Sequence, residues 1–73
     1  MNTTDKSIAK RIGASVTFVN MLRHGKRTPG AVIMLAIERE FGWKMQDQAK
    51  AIDEGRYAAG FNNAIAPAHK KKN

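Results

Sequence analysis

The chain has 73 residues, a formal net charge of +7 and no cysteine. That length limits it to one domain with a small core. The missing cysteines exclude a disulfide framework and a thiolate zinc site, and the two isolated histidines leave no ligand set for a structural metal.

No segment approaches the ~20 consecutive apolar residues that span a bilayer; the longest apolar run is residues 31–37. The N-terminal MNTTDKSIAK lacks the apolar core of a secretory signal. With the cysteine count, this points to a cytoplasmic protein. The charge is unevenly spread. Over residues 1–30, Lys6, Lys10, Arg11, Arg23, Lys26 and Arg27 stand against Asp5 alone, whereas residues 31–69 nearly balance and Lys70, Lys71 and Lys72 close the chain. Such asymmetry favours a polyanionic partner.

In chain order, Thr4 is placed to cap a first helix with Asp5 in its first turn. Ile8, Ala9 and Ile12 make its apolar stripe, and Gly13 suits a left-handed helix end. Ser15 then caps a second helix over residues 16–23. Val19 and Leu22 face inward with Phe18 on their flank, while Thr17, Asn20 and His24 project to the opposite side. Gly25 stops it, and Lys26 and Arg27 follow in a basic turn. Thr28 at N-cap and Pro29 at N1 predict a third helix running to about Phe41. Its AVIMLAI run, apolar all round, suits a core or an interface. A fourth segment, residues 45–54, carries Met45, Ala49 and Ile52 at helical spacing. A fifth, residues 57–65, places Tyr57, Phe61, Ala64 and Ile65 on one side, despite the poor helix formers Gly60, Asn62 and Asn63. Trp43 is expected to plug the core between the third and fourth helices. The expectation is an all-α bundle of four to five short helices over residues 1–66, followed by a disordered basic tail at 67–73.

Ala9, Gly13, Ser15, Val19 and Leu22, followed by the turn HGKRTP, resemble the lambda-repressor/Cro-type (XRE-type) helix–turn–helix family. That family often reads A-xxx-G-x-S-xxx-V-xx-[IL] and then G-K-R-x-P. The resemblance covers residues 5–43, just over half the chain. It implies a sequence-specific DNA-binding regulator with its second motif helix in the major groove, acting as a homodimer on a near-palindromic operator. It further implies a compact repressor of a phage or other mobile element. By position, Ser15, Val16, Thr17, Asn20 and Met21 would face base edges, with Asn20 suited to adenine. Lys6, His24, Lys26, Arg27 and Thr28 would line the phosphate backbone, with amides of the Pro29 helix beside them.

The chain departs from the family pattern in three places. Only about four residues precede the first motif helix, where the family usually has a full helix. The core must then be closed by Tyr57 and Phe61 or by a second subunit. Asp5 occupies a position where the family often has a phosphate-contacting Gln, which shifts that role to Lys6. Val16 is apolar where a polar residue is frequent, which shifts base reading to Thr17 and Asn20. No Gly-rich phosphate loop, metal spacing or nucleophile–base set suggests an enzyme, and no cofactor is expected. The alternative is a protein-interaction module, antitoxin-like or anti-repressor-like, built on a repressor-like fold.

Overall fold

The computed structural model describes residues 4–66. They form α1 (Asp5–Ile12), α2 (Val16–Arg23), α3 (Ala31–Phe41), α4 (Met45–Asp53) and α5 (Tyr57–Ala64), an all-α bundle. The expected basic tail at 67–73 lies outside the described residues. Among those described, no helix is long and apolar enough to cross a membrane.

The first two helices are set by local chemistry. The Thr4 hydroxyl accepts from Ser7 N at 3.2 Å, and the Ser15 hydroxyl accepts from Phe18 N at 3.0 Å. Each bond satisfies a backbone donor that the first turn of a helix leaves unpaired. Between the helices lies a turn of three residues. Gly13 takes the left-handed conformation (φ 74°), and Ala14 N closes onto Ala9 O at 3.0 Å. A side chain at Gly13 would meet no neighbour within 4 Å. Its requirement for glycine is therefore one of backbone conformation.

The helices pack in a closed circuit: α1 on α2, α2 on α5, α5 on α4, α4 on α3, and α3 back on α1. At the centre, Ile8, Ala9 and Ile12 of α1 meet Val19 and Leu22 of α2, Ala36 and Ile37 of α3, and Tyr57, Phe61 and Ile65 at α5. Phe61 is fully buried, so the C-terminal segment supplies the closure expected of it. An eight-residue helix is too short to persist alone in water. The apolar faces that meet here, not intrinsic propensity, hold α1, α2 and α5 in shape.

A buried polar knot ties the second half together. Gln48 has no solvent exposure. Its Nε2 donates to Met34 O and to Trp43 O, each at 2.8 Å, and its Oε1 accepts from Tyr57 Oη at 2.8 Å. One side chain on α4 thus joins α3, the α3–α4 turn and α5. Burial pushes the Tyr57 phenol well above its ordinary pKa, which keeps it the donor in this bond. Trp43 stacks on Tyr57 (centroids 4.9 Å apart) and Tyr57 on Phe61 (6.0 Å). Trp43 also lies against Gly60 of α5.

Two sequence expectations are corrected, the start of the third helix and the buried face of the fourth. The third helix begins at Ala31 with Gly30 as its N-cap, not at Pro29. Pro29 is buried while Thr28 is exposed, so packing of the proline ring takes precedence over capping and helical bonding starts after it. The apolar run of α3 is not all core: Met34, Ala36 and Ile37 are buried, whereas Val32 and Leu35 are 79% and 51% exposed. On α4, Ala49 is exposed and the buried position is Gln48. Apolar spacing gave no weight to a glutamine whose three hydrogen bonds are satisfied internally.

Candidate nucleic-acid interface

The outward side of α2 carries the residues that sequence assigned to base reading. Val16 is 47% exposed, and Thr17 and Asn20 are exposed as well. Their inward counterparts Val19 and Leu22 are completely buried. This opposition is what an amphipathic helix produces when one face is anchored. Ser15 is exposed, with its hydroxyl committed to the Phe18 amide. Met21 is half-buried, at the margin of the outward face, and its carbonyl accepts from Lys26 N at 2.9 Å.

Lys6, His24, Lys26, Arg27 and Thr28 are all exposed. Lys6 lies in the first turn of α1, and the other four follow the end of α2. The backbone bond from Lys26 N to Met21 O folds the basic turn back against α2. The Arg27 guanidinium sits 5.9 Å from the centroid of the Phe18 ring. The His24 ring Nδ1 is 2.8 Å from Asn20 O. A carbonyl only accepts, so Nδ1 is the donor in this bond. The first turn of α3 opens at Ala31, two residues beyond Pro29, so its free amides sit further from the basic turn than expected.

Sequence reasoning missed a second arrangement. Arg23 Nη1 donates to Asp5 Oδ1 at 2.6 Å, and Asn20 Nδ2 donates to Asp5 Oδ2 at 3.3 Å. Arg23 Nε also donates to Asn62 Oδ1, and Asn62 Nδ2 returns a bond to Arg23 O, each at 2.9 Å. A continuous chain of contacts therefore runs Asn20–Asp5–Arg23–Asn62, from the outward face of α2 through the start of α1 to α5. The Arg23 hydrogen bond, helped by that from Asn20, holds the Asp5 carboxyl below its ordinary pKa against the opposing effect of burial. Asp5 and Arg23 are far apart in sequence and no local spacing links them.

Arg56, also unassigned by sequence, lines a groove of about 360 Å³ together with Gly25, Arg27 and Thr28. Its Nε donates to Glu54 Oε1 at 3.0 Å, so part of its charge is offset. Arg11 is held elsewhere, by Glu40 at 3.2 Å and over the Phe41 ring at 4.5 Å. It fastens α1 to α3.

No family model, curated protein or solved structure matches the chain.

Proposed function

We propose that the protein binds double-stranded DNA in a sequence-dependent way, with α2 in the major groove, and regulates transcription as a homodimer. The observation that carries this reading is the outward face of α2. Exposed Thr17 and Asn20 offer hydrogen-bonding groups, with Val16 beside them. Lys6 is exposed in the first turn of α1, and Lys26, Arg27 and Thr28 follow the end of α2. Hydrogen-bonding groups on a helix face read base edges, while flanking cations meet phosphates. The net charge of +7 supports the same partner.

In a dimer the two copies of α2 would sit about one helical turn of DNA apart, roughly 34 Å, on a near-palindrome. The exposed Val32 and Leu35 of α3 offer the apolar surface for that association. The family resemblance suggests a compact repressor of a mobile element working in the cytoplasm. No catalytic role is assigned to any residue.

The same apolar surface favours a second reading, a module that docks on another protein through α3. Selection of bound fragments from a whole genome by the purified chain separates the two. The DNA reading expects a few enriched sites with inverted half-sites, and steep loss of binding as salt rises. If no genomic fragment is held more tightly than random duplex at physiological salt, the DNA reading fails and the docking reading gains.

A further inference from the structure

We infer that Asp5 is a specificity-determining positioning residue: its carboxylate fixes the side-chain amide of Asn20 so that α2 presents one set of hydrogen-bonding groups to a base. This rests on the reading of α2 as the DNA-facing helix.

The geometry starts from the two carboxylate oxygens, which are divided between two partners. Oδ1 takes the Arg23 guanidinium at 2.6 Å and Oδ2 takes the Asn20 amide nitrogen at 3.3 Å. An ionised carboxylate can only accept. The end of the Asn20 amide that faces it is therefore the nitrogen, and rotation of the amide by half a turn would set oxygen against oxygen. Arg23 stops the carboxylate from turning, because Asn62 of α5 grips Arg23 at both its Nε and its backbone carbonyl. The restraint on Asn20 thus runs through part-buried bonds back to α5.

The consequence is chemical. One Nδ2 hydrogen of Asn20 is committed to Asp5. The second hydrogen and Oδ1 remain, one donor and one acceptor on the same amide. That pair matches the N7 acceptor and N6 donor of adenine in the major groove. An asparagine free to flip offers the donor and acceptor in either order and must be immobilised on binding, at the expense of affinity for the right base. Asp5 also keeps a negative charge close to the basic face, which weakens attraction to phosphate regardless of sequence. It raises discrimination and lowers indiscriminate binding together.

The test uses the full chain and its D5A, D5N and N20A variants. First, the side-chain amide protons of Asn20 are followed by NMR without DNA. In the parent protein they should be dispersed and slow to rotate, and in D5A they should collapse to free-amide behaviour. Second, each protein is offered a random duplex library, and affinities are then measured on the selected duplex and on single-base changes within it. D5A should lose about three- to tenfold of the preference for adenine at the position that N20A erases, the cost of immobilising one side chain. D5N retains an acceptor oxygen without the charge. It should lose less of that preference, while both variants bind random duplex more tightly at low salt. Unchanged Asn20 amide signals in D5A, or a base preference in D5A equal to the parent's while N20A loses it, would overturn the inference. If the amide signals respond to D5A but the parent selects no sequence, the DNA reading itself fails and takes the base-reading role with it.

Discussion

Gly60 lies close against the indole of Trp43: a β-carbon at residue 60 would come within 2.6 and 2.7 Å of the Cζ2 and Cη2 atoms of the ring. The indole is held in turn by its stack on Tyr57. A glycine inside a helix ordinarily weakens it by about 1 kcal/mol relative to alanine. Here it buys the close approach of α5 to the α3–α4 turn.

Gly60→Ala should therefore destabilise the domain although it improves helix propensity. Overpacking typically costs about 1–3 kcal/mol, which outweighs the propensity gain. Thermal unfolding should show a midpoint lowered by several degrees, at roughly 4–8 °C per kcal/mol for a domain this small. In a Trp43→Phe background, which removes the clashing ring atoms, the same change should be neutral or stabilising. An equal loss in both backgrounds would show that the indole contact is not the cause.

Gln48→Leu should be among the most damaging single changes in the chain. It strands the buried Tyr57 hydroxyl and removes the bonds to the Met34 and Trp43 carbonyls, and a buried group left unpaired costs roughly 1–3 kcal/mol. Chemical denaturation should show a large drop in midpoint. Combining it with Tyr57→Phe removes one stranded group, so the double variant should recover part of the loss. A double variant as unstable as the sum of the singles would argue against the bond between them.

The Asp5–Arg23 pair gives stability a defined pH dependence. Because the folded carboxyl titrates below its unfolded value of about 3.9, its contribution is fully present above that pH. It is lost as pH falls through the folded pKa. The stability difference between the parent and D5N, taken from denaturant melts, should be constant from pH 7 to 5 and shrink below about pH 4. A difference that persists at pH 2–3 would mean the carboxylate charge is not what stabilises this corner.

On DNA, Asn20→Ala and Arg27→Ala should behave differently. The first should cost about 1–3 kcal/mol on a selected site and little on random duplex. The second should weaken both about equally and reduce the dependence of log affinity on log salt by about one. Titrations of both variants at several salt concentrations check this, and interchangeable behaviour would undo the assignment of base and backbone roles.

The structural elements legible in sequence were those decided by neighbours in the chain. Thr4, Ser15 and Gly13 announce helix ends through bonds that span only a few residues, and the structure places them there. The inward and outward sides of α2 follow from helical period alone. Features that depend on distant residues were not legible. Gln48 reads as a solvated polar residue until Met34, Trp43 and Tyr57 are brought around it. Asp5 reads as a first-turn acid suited to the helix N-terminus but unsuited to a phosphate contact, until α2 sets Arg23 beside it. Gly60 reads as a helix fault until Trp43 arrives. Pro29 misled for the same reason: its ring is drawn into the interior and delays the helix that its backbone would otherwise start.

The division of α2 into a buried side and an open side separates two kinds of information along eight residues. Val19 and Leu22 carry the fold and tolerate little change. Val16 and Thr17 stand in solvent, outside the buried core. Rewriting those two positions should leave the melting behaviour almost untouched, since exposed substitutions usually shift stability by less than about 0.5 kcal/mol. On the proposed reading of α2 as the DNA-facing helix, a library randomised at Val16 and Thr17 would vary recognition at nearly constant foldedness.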